Sequence, residues 1–281
     1  MNDHHASKGP APEASTYFRD VPATPIAAHA DAPLLYRGSQ AWCLRLNRPQ
    51  EHNRLDPADI DAISALLASM IGPDGTTGAI RSLVITGTGE RTFSSGYTLD
   101  AIATELDDRF ERMLDALETL PCVTVAALNG SVYGGATDLA LCCDVRIGVR
   151  PSRMFMPAAH FGLHYYPGGL RRYVARLGLP AASRLMLTGI TIETDEMLRI
   201  GFLADAVAAN ALWPSVDTQL DAISKTEPVA VAKMKQHLHR IARDGSVGEQ
   251  AALEASMRAA YTDSLRSEAL HARLKARLRK A

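Results

Sequence analysis

At 281 residues the chain is long enough to bury a large core in one domain, with room for a subdomain. Thirty Lys and Arg against 31 Asp and Glu leave a formal charge of −1, which argues against nucleic acid or a charged membrane surface as the main partner. No apolar run approaches the ~20 residues that span a bilayer, and Met1-Asn2-Asp3-His4-His5 lacks the basic start and apolar core of a secretion signal. Cys43, Cys122, Cys142 and Cys143 all stand in apolar contexts. They read as buried free thiols of a reducing, cytoplasmic compartment, and the adjacent Cys142 and Cys143 are poorly spaced for zinc.

Residues 1–32 are rich in Ala, Pro, His, Ser and Asp and show no apolar period. They read as a flexible N-terminal tail, or as an arm draped over the body. The body begins near Pro33. Leu34-Leu35-Tyr36 and Trp42 to Leu46 read as paired strands with a turn over Arg37 to Gln40. Asp56 or Pro57 starts an amphipathic helix through Ile60, Ile63, Leu66, Leu67 and Met70. The strand Arg81–Thr86 comes next, then a helix around Asp108 to Glu118, the strand Val123–Leu128, a helix over Thr137–Cys143 and the strand Val145–Val149. This alternation predicts an α/β core of stacked ββα turns over residues 33–227. From Glu227-Pro228 the pattern is all helical: 229–242, 248–261 and 267–280. Residues 228–281 therefore form a C-terminal helical region with a basic end (Arg266, Arg273, Lys275, Arg277, Arg279, Lys280).

The chemistry concentrates where a strand runs through glycines into a helix, at Asn129-Gly130-Ser131-Val132-Tyr133-Gly134-Gly135-Ala136-Thr137-Asp138. Glycine lets a ligand approach the backbone. The first N–H groups of a helix lack partners inside it and carry partial positive charge. That is a device for stabilising an oxyanion, with the carboxylate of Asp138 within one turn. A second segment, Thr92-Phe93-Ser94-Ser95-Gly96-Tyr97-Thr98-Leu99, follows the Arg81–Thr86 strand and its turn.

Together these segments resemble the crotonase superfamily, the enoyl-CoA hydratases and isomerases. The likeness extends over Leu46-Asn47-Arg48-Pro49, Cys143-Asp144-Val145-Arg146-Ile147, the Gly162–Gly169 loop, Leu187-Thr188-Gly189 and Ile200-Gly201-Phe202-Leu203. The resemblance implies a spiral of ββα units with a C-terminal helical trimerisation region. It implies an acyl-CoA substrate, with no cofactor beyond the coenzyme A the substrate carries, and a homotrimer or dimer of trimers. The oxyanion donors it implies are the backbone N–H groups of Tyr97 and Gly135, with Ser95, Gly96, Tyr133, Gly134, Ala158 and Tyr165 lining the substrate site. The C-terminal basic residues read either as a solvated helix face or as contacts to the phosphates of coenzyme A.

The resemblance breaks at the proton-transfer positions. The family's first catalytic glutamate is Asp138 here, shorter by one carbon–carbon bond. Its second is Ala158, in Phe155-Met156-Pro157-Ala158, which moves no proton. Tyr166 stands near where some relatives carry an aspartate and is a candidate to assist Asp138, as is His164 on the same loop. His237, in Lys235-Gln236-His237-Leu238, reads as an exposed or capping residue ahead of a catalytic one. The expectation is an acyl-CoA thioester enzyme that stabilises an enolate, with Asp138 as acid or base. The alternatives are a catalytically weak acyl-CoA-binding homologue, or a decarboxylase or C–C hydrolase of β-keto or β-carboxyl thioesters.

Overall fold

The structure, a computed structural model, describes residues 11–98, 101, 107–243 and scattered positions between 255 and 279. The predicted helices over 248–261 and 267–280 lie largely outside the described residues, as do Arg273, Arg277 and Lys280.

The strand pairs Leu34–Arg37 (β2) and Ala41–Leu46 (β3) form antiparallel neighbours, preceded by Ala23–Pro25 (β1) on the outer edge. From β3 the chain enters a repeating course. Ser82–Gly87 (β4), Val123–Leu128 (β6), Val145–Val149 (β8) and Asp205–Val207 (β11) lie parallel in sequence, completing a seven-stranded sheet ordered β1-β2-β3-β4-β6-β8-β11. Thr92–Ser94 (β5), Ser131–Tyr133 (β7) and Arg153–Phe155 (β9) form a second, smaller sheet, closed by Ile192–Glu193 (β10). Three successive turns of the chain, β4 with β5, β6 with β7 and β8 with β9, each give one strand to each sheet and then a helix, which is the crotonase-type spiral.

The helices are Pro57–Ser69 (α1), Arg109–Glu118 (α2), Gly135–Cys142 (α3), Ala158–Phe161 (α4), Pro167–Thr188 (α5), Thr194–Arg199 (α6), Leu212–Ser224 (α7) and Pro228–Arg243 (α8). The start of α1 is set by proline in the first turn and by the Asp56 N–H donating to Asp59 Oδ2 at 2.9 Å. In α2, Phe110, Met113, Leu114 and Leu117 recur at helical spacing and are all buried. The long α5 bends at Gly178 (φ 75°), just before Pro180.

The central parallel strands of the large sheet are covered on both faces, so they are apolar without alternation; every residue of β4 is buried. Leu35, Leu44, Leu83, Ile85 and Ala126 point to the core shared with α1, α2 and α3. Tyr36, Cys43, Val84, Val125 and Ile147 point the other way, under α7 and the N-terminal segment.

Residues 12–18 pack against the body. Phe18 is fully buried, its ring 6.1 Å from Trp213 and 6.4 Å from Tyr36. Ser15 Oγ donates to Asp217 at 2.5 Å and Tyr17 Oη to Asp221 at 2.7 Å, so the arm is pinned to α7. Residues 1–10 lie outside the described residues.

Candidate active site

Parallel pairing of β5 with β7 lays two successive turns of the spiral side by side. The segments that leave these strands, Ser95–Tyr97 and Gly134–Gly135, are therefore neighbours. They come so close that a Cβ added to Gly96 would lie 2.6 Å from the Gly135 nitrogen and 2.8 Å from that of Ala136. Gly96 has φ +85° and Gly134 φ +55°, conformations that only glycine adopts without strain. Both are required by the approach, not merely tolerated by it.

The orientation of the Tyr97 amide follows from a short ladder. The Leu55 N–H donates to Gly96 O at 2.8 Å, and the Thr98 N–H donates to Leu55 O at 3.0 Å. In such a ladder the intervening residue turns its N–H the other way. The nitrogen of Tyr97 lies 3.6 Å from where a Cβ on Gly135 would sit. Ser95, Tyr97, Tyr133, Gly134 and Gly135 are all half-buried, so this backbone junction reaches the surface. The backbone N–H groups of Tyr97 and Gly135 are thus brought together in space.

The carboxylate behind it is sealed. Asp138, in the first turn of α3, is 0% exposed. Its Oδ2 accepts from Tyr166 Oη and, at 3.3 Å, from Tyr165 Oη, and stands 3.5 Å from Arg172 Nη1. Its Oδ1 makes no hydrogen bond among the described residues. A Cβ on Gly169 would strike the Tyr165 ring at 2.2 Å and Asp138 Oδ2 at 2.9 Å. Glycine in the first turn of α5 is what lets the tyrosine and the carboxylate fit beneath it.

Burial pushes the Asp138 carboxyl above its ordinary range, and the Arg172 charge and the Tyr166 hydrogen bond only partly offset this. Burial, aided by the neighbouring Asp138 charge, pushes the Tyr165 and Tyr166 phenols far up as well. Both remain neutral, so their hydrogens serve to hold the carboxylate. Tyr166 is thereby placed as an orienting donor.

Aromatic rings close the space in front. Phe110 of α2 stacks on Tyr97 at 5.3 Å and 8°, and meets Tyr166 edge-on at 6.5 Å. Its ring would touch a Cβ on Gly135 at 3.0 Å. Tyr133 packs on Phe155 at 5.2 Å. Ala158 begins α4 and is buried in the core. Of the groups singled out from the sequence, Asp138, Tyr165 and Tyr166 meet one another, and Gly96, Tyr97, Gly134 and Gly135 meet one another. His164 is half-buried on the same loop but is not among the groups that bond Asp138. His237 is exposed on α8, as anticipated.

Sequence reasoning missed the cations. Arg172 is fully buried and paired with Asp115 at 2.9 Å. Beyond it lies Glu118, held below the usual carboxylate range. Burial opposes this, but contact with His239 and the charges of Arg172 and Arg171 outweigh it. His239 of α8 stands 3.5 Å from Glu118 and 3.8 Å from Asp144, and Lys235 Nζ is 2.7 Å from Asp144. Nothing local in the sequence marks Arg172 as interior. Among the described residues no cluster of His, Cys, Asp and Glu is arranged to hold a metal ion, and no helix is long and apolar enough to cross a membrane.

Comparison with known proteins agrees with this architecture. Residues 39–277 match the family model of the enoyl-CoA hydratase/isomerases. A putative enoyl-CoA hydratase/isomerase of Bacillus subtilis, YngF, is 29% identical over 199 residues, spanning 68% of this chain and 75% of that protein. A short-chain-enoyl-CoA hydratase of Clostridium acetobutylicum is 27% identical over 214 residues, spanning 74% and 80%. The crystal structure of an enoyl-CoA hydratase from Mycobacterium tuberculosis superposes with a TM-score of 0.69 at 26% identity, covering 84% of this chain and 99% of that one. A methylmalonyl-CoA decarboxylase gives a TM-score of 0.78 at 20% identity, covering 88% and 95%, a likeness of fold alone. With the spiral, the paired glycine junctions and a family match over most of its length, the chain is a member of the enoyl-CoA hydratase/isomerase family of acyl-CoA enzymes.

Proposed function

We propose that this protein forms and discharges the enolate of an acyl-CoA thioester, with the Tyr97 and Gly135 N–H groups receiving the thioester oxygen and Asp138 exchanging the proton at the α carbon. The observation that carries the reading is the approach of Gly96 to Gly135, with a buried carboxylate in the same helical turn. A carboxyl group held above its ordinary range is a stronger base than a free carboxylate, which suits a group that must both accept and return a proton. Tyr165 and Tyr166 keep the carboxylate fixed while it does so. Water addition by two carboxylates is disfavoured, because Ala158 stands where the second would be. Proton shuttling, as in a double-bond shift or in protonating the enolate left by decarboxylation, needs only one.

The test is exchange of the α protons of saturated acyl-CoA thioesters with D2O, followed by NMR. Wild-type protein is expected to exchange at least one thioester of a panel, and Asp138→Asn to lose ~10² or more of the rate while staying folded. Full exchange by D138N refutes the role of Asp138. A second reading, a thioester-binding protein of weak activity, is favoured by the Phe110 ring lying against Gly135. It expects saturable binding of acyl-CoA with no exchange above buffer.

Self-association into a trimer or a pair of trimers goes with this reading. Leu179, Leu187 and Leu238 are 64%, 77% and 66% exposed in the single chain, apolar area that a neighbouring copy would cover. Leu253 and Met257, in the predicted C-terminal helices, and the Ile241 side chain lie outside the described residues. Light scattering decides the point, a monomer at micromolar concentration refuting it.

A further inference from the structure

Arg172 has more carboxylates than its own burial requires. A guanidinium with 0% exposure needs opposite charge, and Asp115 at 2.9 Å and Glu118 at 3.8 Å from α2 supply it. The guanidinium nevertheless reaches a third, Asp138 of α3, at 3.5 Å. Among the described residues the polar contacts to Asp138 fall on one oxygen. Oδ2 accepts from Tyr165 and Tyr166 and lies 3.5 Å from Arg172 Nη1, a charge contact in which Nη1 makes no hydrogen bond, while Oδ1 is buried with no hydrogen bond. In a fully buried carboxyl group, the oxygen without donors is the one that holds a proton most strongly, because nothing else stabilises its charge.

We infer that Arg172 is the positioning residue of this site: by holding Oδ2 it makes Oδ1 the single proton-carrying atom of Asp138, and it sets how readily that proton leaves. The inference rests on the reading of Asp138 as the proton-exchanging group. The ionisable groups around Asp138 are few and come from three helices and one loop. Tyr165 and Tyr166 lie on the loop, Arg172 and Tyr173 on α5, Asp115 and Glu118 on α2, and Cys142 on α3. The phenols and the thiol are pushed up by burial and stay neutral. Charge control therefore falls to Arg172 and to the α2 carboxylates that pair with it. The Arg172 cation, 3.5 Å from Oδ2, draws the Asp138 proton off, and the Glu118 anion, 3.8 Å from the same guanidinium, opposes it. Glu118 in turn is contacted by His239, so α8 bears on the same balance.

Two substitutions should then move Asp138 in opposite directions, which a purely structural role for either residue does not predict. The full-length chain, labelled with 13C-aspartate, is titrated by infrared difference spectroscopy, the Asp138 band being identified by its loss in D138N. Arg172→Met is expected to raise the Asp138 midpoint by about 1–3 pH units, Arg172→Lys to restore most of that, and Glu118→Gln to lower it. The corresponding limb of the pH profile for α-proton exchange should move with each midpoint. Equal midpoints in R172M, R172K and wild type overturn the inference. If R172M does not fold, E118Q decides: a midpoint unmoved or raised overturns it, and a lowered one supports it. The infrared titration uses no substrate. A thioester panel without exchange would sink the activity reading while leaving the midpoints to judge Arg172.

Discussion

Gly96→Ala is the sharpest probe of the proposed oxyanion junction. The added methyl meets the backbone nitrogens of Gly135 and Ala136 at 2.6 and 2.8 Å, distances at which a rigid backbone must move. Restoring ordinary contact shifts Gly135 away from Tyr97 by roughly half an ångström or more, and errors of about 1 Å in a reacting geometry cost ~10²-fold. Losing the use of one oxyanion donor costs ~10²–10³, about 2.7–4 kcal/mol of transition-state stabilisation. A left-handed alanine adds ~1–2 kcal/mol of backbone strain, a few degrees of Tm in a chain of this size. The control is Gly89→Ala. Gly89 has φ +89° and nothing closer to its missing Cβ than Pro49 at 3.7 Å. G89A should carry the strain without the displacement. The assay is α-proton exchange beside thermal unfolding: both variants lose a few degrees, and only G96A loses ~10² or more in rate. A folded G96A exchanging at the G89A rate would show that these two amides are not the oxyanion site.

Two further outcomes concern stability. Phe18→Ala empties a site enclosed by Tyr36 and Trp213, and should cost ~3–5 kcal/mol by chemical denaturation while opening the arm to proteolysis near Tyr17; an unchanged midpoint would mean the arm adds nothing. His239→Gln should destabilise in a pH-dependent way. Contact with Asp144 and Glu118 raises the folded-state pKa of His239 against the opposing effect of burial. The gain it brings is complete below the unfolded value of about 6.5 and fades as pH rises through the folded one. The gap between wild type and H239Q should be ~1–2 kcal/mol near pH 6 and narrow above it; a gap that does not vary with pH would refute the ion pairs.

The elements that were legible in the chain carry their signals locally. The capped start of α1 at Asp56-Pro57, the apolar period of Phe110 to Leu117 and the glycine junction before Asp138 are each readable within a dozen residues. The long α5 shows no helical period in the sequence, because Gly178 and Pro180 interrupt it and Arg171, Arg172 and Arg176 break its apolar face. A buried arginine is written like an exposed one. Arg172 is interior because α2 brings Asp115 and Glu118 to it from a distant stretch of chain. His237 and His239 differ by two positions, which on a helix turns them to nearly opposite sides. Which of the two faces inward is decided by acids on α2 and before β8. Residues 12–18 have no period at all, and they are held by an aromatic wedge and by hydroxyl groups aimed at Asp217 and Asp221.

Because β5 and β7 belong to successive turns of the spiral, the two halves of the junction are joined by pairing and not by adjacency along the chain. A molecule gripping both would act as a rivet between turns. Its binding energy would be added to the cooperative unit that must open before the small sheet can exchange its amide hydrogens. Slowed hydrogen exchange should therefore extend beyond the residues it touches, through β5, β7 and β9, while the arm and the outer edge at β1 keep their own rates. The pattern of that protection would map, strand by strand, how far occupancy of the mouth tightens the winding of the chain.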